Sequence, residues 1–207
     1  MTVILTHAQN GLASEGLTEE PREAFEACQR AAQRMRRLLE SLLELARIDA
    51  GQERMKHQPF DLAEVAREMV ELVEPLARAR SIAIHTDLSP TPTTGDAVRI
   101  AQVITNLLTN AIEHNREGGD VRVSTGAAAD AARFTVADNG PGIAAADLPH
   151  VFERFYRADA ARSGAKSNAG LGLAISKAIV EAHGGTLRVA SAEGSGASFT
   201  LHLPDGR

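Results

Sequence analysis

The sequence predicts an α+β protein in which a helical hairpin precedes a sandwich of about five mixed strands with three helices on one face. Three patterns predict this fold class. Apolar residues recur three and four positions apart in the first quarter of the chain, and stretches that alternate apolar and polar residues follow later. Further helical stretches are interspersed with these alternating ones. We therefore expect a hairpin domain at 1–51, a linker at 52–60 and an α/β domain at 61–207.

The composition is that of a folded domain and excludes several classes of protein. The 207 residues are 43% hydrophobic and 24% charged, and the formal net charge of −5 argues against sequence-independent binding to nucleic acid. No run of about 18 apolar residues occurs, so we expect no membrane span, and residues 1–5 lack the basic lead-in of a signal peptide. Cys28 is the only cysteine, which excludes a disulfide framework and a zinc site built on thiolates.

The first 50 residues carry the spacing of helices that pack against other helices. One apolar stripe follows alternating steps of three and four residues: Phe25, Cys28, Ala32, Met35, Leu39, Leu42 and Ala46. Additional leucines widen this stripe beyond a two-stranded seam, which favours a bundle. Thr18–Pro21 is typical of a helix start, and a shorter apolar stripe lies within Met1–Leu12. The turn between the two helices is expected between Gly11 and Gly16.

The rest of the chain alternates helical and strand patterns. Helices are predicted at 61–80, 96–115 and 170–183. Strands are predicted at 82–88, 121–125, 133–138, 187–192 and 197–203, the last two as a hairpin. Asp61 is expected to cap the first of these helices, with Glu64 as the acid at its third position. Residues 89–94 are interpreted as a loop because they include Pro90 and Pro92.

Two asparagines form the first candidate for a binding site. Asn106 and Asn110 lie one turn apart on the same face of the predicted helix 96–115, and apolar residues such as Leu107 and Leu108 cover its other side. A stacked pair of side-chain amides can present neutral oxygens to a hard cation that also holds phosphates. An ordinary solvated helix face has the same pattern, so the pair alone leaves both interpretations open.

Two glycine-containing segments are further candidates. Asp138–Ile143 follows a predicted strand; its carboxylate could accept a hydrogen bond from an exocyclic amine, and its glycines would let the backbone approach a flat ring. An ordinary Asn-Gly turn would look the same. Gly170–Leu173 opens a predicted helix, whose free N–H groups and positive dipole end suit a phosphate. Between these segments, 158–169 has the composition of a mobile lid, and the preceding segment, Phe152–Arg157, contains aromatic residues that could anchor this lid.

The order and spacing of these motifs resemble the catalytic, ATP-binding domain of sensor histidine kinases. This domain belongs to the wider Bergerat-fold, or GHKL, ATPases, which also include gyrase, mismatch-repair and heat-shock chaperone ATPases. The segment Phe152–Arg157 and the preceding hairpin favour the kinases. Residues 18–51 resemble the second helix of the family's dimerisation and phosphotransfer hairpin, which usually ends in the Leu-Ala-Arg-Ile-Asp-Ala-Gly found at 45–51.

The resemblance implies that ATP and Mg²⁺ bind to residues that match the family's motifs. The implied nucleotide contacts are Asn106, Asn110, His114, Asp138, Gly140, Gly142, Ile143, Phe152, Phe155, Arg157, Gly170, Leu171, Gly172 and Leu173. Asn110 would be the Mg²⁺ ligand, and Asp138 would bind the adenine amino group. Asn106 and Arg157 would be the catalytic residues. Asn106 would make a polar contact to phosphate or metal, and Arg157 would contact the γ-phosphate. Positioning and charge neutralisation do most of the work in phosphoryl transfer.

The sequence departs from the family pattern near its start. It contains no His-Glu-x-x-(Thr/Asn)-Pro-Leu phosphoacceptor box, and Thr2–Leu5 resembles the residues that normally follow that box. We therefore expect a chain that is truncated after the acceptor and does not phosphorylate itself alone. His7 is not the expected substitute, because it would point about 120° away from the acceptor's direction and no acid follows it. Glu113 and Asn168–Ala169 also replace usual family residues and are expected at most to weaken nucleotide affinity.

These features predict the catalytic core of a sensor histidine kinase. It would transfer the γ-phosphoryl group of ATP to a histidine of the dimerisation domain and then to an aspartate of a response-regulator receiver domain. We expect a homodimer through the hairpin and a cytoplasmic location, with membrane contact only through upstream segments. The alternative is a non-catalytic nucleotide-binding or dimerisation module. A chaperone-like or repair ATPase of the same fold is disfavoured by the hairpin.

Overall fold

The computed structural model describes residues 19–53, 55–128, 131–158 and 170–204, together with Val3 and Thr6. The chain divides into two compact units, Met1–Arg47 and Ile48–Arg207. The predicted first helix of the hairpin, apart from Val3 and Thr6, and the predicted lid, apart from Ala158, lie outside the described residues.

A long helix dominates the described part of the first unit. This helix, α1 (Glu19–Asp49), has 31 residues and confirms the predicted second helix of the hairpin. Its apolar stripe is largely open: Met35, Leu39 and Leu43 are 47%, 51% and 57% exposed. An exposed stripe of this kind marks an interaction surface. Within the described part of the chain, no helix combines the length and the apolar character needed to cross a membrane.

The second unit is a layer of helices on a five-stranded mixed sheet, which confirms the predicted fold class. The helices are α2 (Leu62–Arg78), α3 (Ala97–Glu113) and α4 (Gly172–Ala182). The sheet strands are β2 (Ala83–Leu88), β4 (Asp120–Ala128), β5 (Ala131–Asp138), β6 (Thr186–Ser191) and β7 (Ala197–Pro204). Their order is β2-β4-β5-β7-β6, and β2 pairs with β4 in parallel while the other neighbours are antiparallel. A short 3₁₀ helix, Leu148–His150, precedes the lid segment.

Two further strands correct the sequence interpretation. Strand β1 (Gln58–Asp61) pairs antiparallel with β3 (Pro92–Gly95), where the sequence predicted the end of a linker and a loop. The prediction missed them because both strands are short, each contains a proline, and their pairing joins residues far apart in the chain. Asp61 holds the pair in place, since its Oδ1 accepts the N–H of Thr91 at 2.8 Å and of Ala63 at 2.9 Å. The second of these bonds confirms Asp61 as the N-cap of α2.

The core of the second unit lies between the helices and one face of the sheet. Alternation along β5 buries Phe134 and Val136 against the helices and leaves Arg133 and Thr135 on the other face. Helix α3 contributes most of the core, with its Ile100, Val103, Ile104, Leu107, Leu108 and Ile112 each fully buried. This burial fixes which face of α3 turns away from the core, and that face carries the paired asparagines.

Candidate functional site

Asp138 ends strand β5 and offers one free carboxylate oxygen. Its Oδ1 accepts the backbone N–H of Gly140 at 2.9 Å and that of Ala197 at 3.3 Å. Its Oδ2 makes no hydrogen bond within the described residues, so this oxygen is open to a donor. Burial raises the pKa of Asp138 above its ordinary value, although the two N–H groups and nearby His114 oppose this. The side chain therefore combines a fixed orientation with an acceptor that is partly shielded from water.

Glycines pack the turn after Asp138 closely against its surroundings. An ideal Cβ on Gly140 would lie 2.9 Å from Asp138 Oδ1 and 3.0 Å from the carbonyl oxygen of His114. Gly142 has φ +74°, and a Cβ there would lie 2.2 Å from the carbonyl oxygen of Ala192. Any side chain at either position would collide with the backbone or with the carboxylate. The glycines therefore keep a wall of bare backbone beside Asp138.

The turn between β6 and β7 supports this wall, and sequence reasoning did not assign it to the site. The hydroxyl of Ser191 accepts the N–H of Ile143 at 2.8 Å and donates to the carbonyl of Gly196 at 2.6 Å. The N–H of Gly194 donates to the carbonyl of Pro141 at 2.6 Å. The glycines at 194 and 196 were a signal for a hairpin turn, but nothing local indicated that this turn underlies Asp138.

Asn106 joins helix α3 to the start of helix α4. Its Nδ2 donates to the hydroxyl of Ser176 at 3.0 Å, and an ideal Cβ on Gly172 would lie 2.4 Å from its Oδ1. The structure thus places Asn106 of the asparagine pair against Gly172 of the Gly170–Leu173 segment. Ser176 was missed by the sequence analysis. A serine one turn after Gly172 in an apolar helix gives no chemical signal of its own in the sequence.

Asn110 and the start of helix α4 are two further groups that a ligand could bind. Asn110 is half-buried one turn beyond Asn106, and its side-chain amide makes no hydrogen bond within the described ranges. Helix α4 begins after Leu171, which is buried and provides no side-chain cap. Its first N–H groups therefore lack a capping side chain, a condition that favours an anion.

The base of the lid segment is held by backbone contacts. Gly170 has φ +70°, its carbonyl accepts the N–H of Phe155 at 2.9 Å, and a Cβ on it would lie 2.8 Å from the carbonyl oxygen of Tyr156. The two ends of the segment are therefore adjacent. Phe152 packs edge-on against Phe199 with ring centroids 6.3 Å apart. Phe155, in contrast, is 56% exposed and has φ +63°, so its backbone rather than its ring makes the contact.

The remaining predicted residues lie around the same region of the second unit. His114 is the exposed C-cap of α3, Leu173 is half-buried in the first turn of α4, and Arg157 is half-buried just before the lid segment. Arg80, which the sequence analysis overlooked, donates to the carbonyl of Glu113 at 2.7 Å. Because helix C-termini carry partial negative charge, this guanidinium stabilises the end of α3.

The donor set fits a nucleotide with a hard cation and not a dedicated metal cage. Within the described residues, no group of three or more histidine, cysteine, aspartate or glutamate side chains could hold a metal ion. A divalent ion here would take the amide oxygen of Asn110 together with oxygens of its own ligand, which is a usual arrangement for Mg²⁺ with phosphates. The free oxygen of Asp138 and the glycine wall fit a planar base that bears an amine.

Comparisons with known proteins agree with this geometry. The family model of the histidine kinase-, DNA gyrase B- and HSP90-like ATPases (HATPase_c) matches residues 95–207, and the His Kinase A (phospho-acceptor) domain (HisKA) matches residues 1–51. The sensor protein IrlS of Burkholderia pseudomallei is 35% identical over 204 residues, which are 99% of this chain and 44% of IrlS. The chain thus spans less than half the length of this relative.

Solved structures give the same result. The crystal structure of full-length ShkA in complex with AMPPNP is similar to this chain with a TM-score of 0.83 and 30% identity, over 97% of this chain and 42% of that one. The complex of the histidine kinase ThkA with the response regulator protein TrrA gives a TM-score of 0.71 at 23% identity, over 99% and 57% of the two chains. At that identity, the second likeness concerns the fold alone.

Proposed function

We propose that the chain binds Mg-ATP and transfers the γ-phosphoryl group to a histidine side chain. It belongs to the sensor histidine kinases of two-component systems. The observation that carries this proposal is the arrangement at Asp138. One of its oxygens is held by two backbone N–H groups, and the other, which accepts no hydrogen bond from a described residue, lies beside a wall of glycine backbone. An acceptor fixed in this way suits the amino group of adenine, and AMPPNP, an ATP analogue, is bound in the ShkA complex.

The base-binding half of the site consists of the turn after β5. Asp138 would accept the adenine amino group through Oδ2. Gly140, Gly142 and Ile143 would line one side of the ring, and His114, exposed at the end of α3, would line another. Because Gly140 and Gly142 carry no side chain, the backbone of this turn could contact the ring directly.

The phosphate-binding half consists of α3 and the start of α4. Asn110 would hold Mg²⁺, which supplies positive charge to the phosphate oxygens when it is bound. The free N–H groups at Gly170–Leu173 would bind phosphate oxygens, and Arg157 would neutralise charge on the γ-phosphate. Asn106 would position α4 relative to α3 through Gly172 and Ser176. Phe152 and Phe155 would hold the lid at its base.

The reaction would form a nitrogen–phosphorus bond to an acceptor imidazole while the bond from the γ-phosphorus to ADP breaks. A receiver-domain aspartate of a response regulator would then take the phosphoryl group, which is the second transfer expected of a kinase of two-component systems. These 207 residues contain no family acceptor box, so we propose that the acceptor histidine lies on another polypeptide in any assay of this chain. Dimerisation through the hairpin, on the cytoplasmic side of a sensor, would bring acceptor and nucleotide together.

Calorimetric titration of Mg-ATP into the parent chain and into Asp138→Asn tests the nucleotide site. Asparagine can keep both backbone hydrogen bonds at Oδ1, and it replaces only the free acceptor oxygen with a donor. We therefore expect Mg²⁺-dependent binding by the parent chain and loss of binding in the variant. Asp87→Asn is the matched control, because Asp87 lies exposed on strand β2 and carries the same charge. Equal binding by all three proteins would overturn the assignment of Asp138.

The absence of the acceptor box from this chain favours a second candidate function, that of a non-catalytic module. Addition of a separate hairpin that contains the acceptor box distinguishes the kinase from this module. With radiolabelled ATP, the kinase predicts label on the acceptor histidine, and Asn110→Ala should abolish it. If the chain binds Mg-ATP but never labels the hairpin or a receiver domain, the module is the better description. Retention of full labelling in Asn110→Ala would exclude Asn110 as the Mg²⁺ ligand.

A further inference from the structure

The face of the five-stranded sheet that points away from the helices carries two arginines, Arg133 and Arg188, that form no ion pair with any described residue. Outward positions of β5, β7 and β6 alternate with the buried core positions. A shallow cavity of about 340 Å³ opens on this face, and its lining combines two arginines, a histidine and hydroxyl groups. The lining residues are Arg133, Thr135, Arg188, Val189, Ala190, Ser198, Thr200 and His202.

The strand register places these residues in two neighbouring rows. Arg133 lies opposite His202, which lies opposite Thr186 on the edge strand. In the next row, Thr135 lies opposite Thr200, which lies opposite Arg188. The two arginines are thus two strands and one row apart, or roughly 12 Å between Cα atoms at ordinary strand spacings. Their long side chains can approach one another over His202 and the two threonines.

The positive charge of this surface is not neutralised within the described residues. Arg133 and Arg188 are exposed, and neither forms an ion pair or a hydrogen bond with another described residue. Burial and the charges of Arg188 and Arg133 lower the pKa of His202, so both guanidinium groups lie close enough to affect it. Two carboxylates, those of Asp87 and Asp120, lie on the same face but near the opposite edge of the sheet, on β2 and β4. The whole chain, in contrast, has a net charge of −5.

We propose that this surface, formed by Arg133, Arg188, His202 and the hydroxyls between them, is a docking site for an acidic protein segment. Carboxylates would bind the two guanidinium groups. The half-buried hydroxyls of Ser198 and of one member of the Thr135–Thr200 pair, whose oxygens lie 3.4 Å apart, would donate to carboxylate or carbonyl oxygens. A flat, open face favours an extended polypeptide that reaches both arginines at once, since a small anion would remain largely hydrated there.

A membrane surface fits the same residues less well. Electrostatic membrane binding usually needs about four to eight lysines or arginines in one cluster. This face has Arg122, Arg133 and Arg188 as its described arginines. None of the large hydrophobic side chains that are exposed in the described ranges lies on it, so nothing would insert between lipids. The nucleotide site lies on the helix side of the sheet, so a segment docked here would leave ATP access open.

The test measures fluorescence anisotropy of a short fluorescein-labelled oligoglutamate peptide against the whole chain at low and moderate salt. We expect the parent chain to bind at low salt despite its net negative charge, and the Arg133→Gln/Arg188→Gln variant to bind about tenfold more weakly. Arg30→Gln/Arg36→Gln is the matched control, because it removes the same charge from α1, where these arginines pair with Glu26 and Glu40. Mg-ATP binding and the melting temperature should be unchanged in both variants.

Three results would overturn the proposal. Absence of peptide binding by the parent chain at low salt would show that the arginines do not act together on carboxylates. If the control variant Arg30→Gln/Arg36→Gln weakens peptide binding by the same factor, the peptide responds to the overall charge of the chain. Binding to phosphatidylserine vesicles, but not to the peptide, with loss in Arg133→Gln/Arg188→Gln, would assign the surface to a membrane instead.

Discussion

Gly196 lies so close to Asp138 that an ideal Cβ on the glycine would be 2.0 Å from the carbonyl oxygen of the aspartate. The next peptide N–H, that of Ala197, donates to Oδ1 of the same residue at 3.3 Å. The turn between β6 and β7 therefore fixes both the backbone and the side chain of Asp138. Since this carboxylate is proposed to bind adenine, the turn would contribute to nucleotide recognition although none of its residues needs to touch the ligand.

Two glycines of this turn give a matched pair for testing its role. Gly194 and Gly196 have φ +78° and +80°, so alanine should cost each position a similar backbone strain of about 1–2 kcal/mol. Only Gly196 is also crowded, because nothing lies within 4 Å of a Cβ at Gly194. We expect Gly194→Ala to retain Mg-ATP affinity within a few-fold, and Gly196→Ala to lose it. Calorimetry together with thermal unfolding separates the local effect from global instability.

If Gly196→Ala remains folded and binds Mg-ATP as well as Gly194→Ala does, then the turn does not hold Asp138 in its binding orientation. Such a result would also remove the structural reason given for the fixed Oδ1 contacts.

The raised pKa of Asp138 predicts how nucleotide binding depends on pH. Burial raises this pKa above the ordinary aspartate value, so the carboxylate loses its charge at a higher pH than an exposed aspartate does. A neutral carboxyl group is a weaker acceptor for the adenine amine. We expect Mg-ATP affinity to fall as the pH is lowered through this raised value. Titrations of the Asp87→Asn protein should show the same fall, since it retains Asp138.

The same pKa shift makes a prediction about stability. A carboxyl group whose pKa is higher in the folded than in the unfolded state stabilises the fold below the unfolded pKa, and that contribution is lost as the pH rises through the folded pKa. The parent chain should therefore lose stability relative to Asp138→Asn as the pH rises across this interval. Urea unfolding of both proteins at several pH values measures the difference. A constant difference would contradict the raised pKa.

Periodicity was sufficient to predict the main elements of the second unit. The three helices and five strands of the layered fold were each marked by apolar spacing and by caps such as Asp61. The pairing of β1 with β3 was not predictable, because four-residue strands with prolines carry no alternation of their own. Their pairing depends on the side chain of Asp61, which accepts a hydrogen bond from a residue 30 positions further along the chain.

The candidate site could be predicted only as a set of motifs. The sequence indicated Asn106 and Gly172 separately, and their contact appears only when α3 packs against α4. Ser191 and Ser176 were missed because an isolated serine gives no chemical signal in a sequence. Both act through hydrogen bonds to residues that lie 48 and 70 positions away.

A double-mutant cycle can test the contact between Asn106 and Gly172. Alanine is a better helix former than glycine, by up to about 1 kcal/mol in a helix interior and by less at the first residue of α4, so helix propensity alone predicts that Gly172→Ala stabilises the protein. A Cβ there would lie 2.4 Å from Asn106 Oδ1, and displacement of that side chain would break its bond to Ser176. We therefore expect Gly172→Ala to destabilise the parent chain but to stabilise the Asn106→Ala protein. Equal effects in both backgrounds would show that the two positions are independent.

If Asn106 positions α4, the same substitutions should also change the rate of phosphoryl transfer. Both single variants are expected to lower the rate of transfer to an added acceptor hairpin. Gly126→Ala is a suitable control for a glycine substitution, because nothing lies within 4 Å of a Cβ at that position. It should leave the rate unchanged.

His183 connects the end of α4 to the start of α3. His183 is 8% exposed; its Nδ1 bonds to the carbonyl of Ile179 at 2.7 Å, and its Nε2 accepts the N–H of Asp96 at 3.0 Å. Both contacts are satisfied only by the neutral ring with its proton on Nδ1. Asp96 in turn caps α3 through the N–H of Arg99 at 3.3 Å and accepts the N–H of Lys56 at 3.1 Å.

Loss of this ring should loosen the start of the helix that carries the asparagine pair. We expect His183→Ala to lower the free energy of unfolding by about 2–3 kcal/mol, because it leaves a cavity and an unpaired N–H at Asp96. Hydrogen exchange should speed up most in the first turn of α3, whereas His85→Ala, at an exposed position on β2, should change neither quantity appreciably. If exchange in α3 is unaffected by His183→Ala, the histidine stabilises only the end of α4. In that case, the orientation of Asn106 and Asn110 would depend on the packing of the core face of α3 alone.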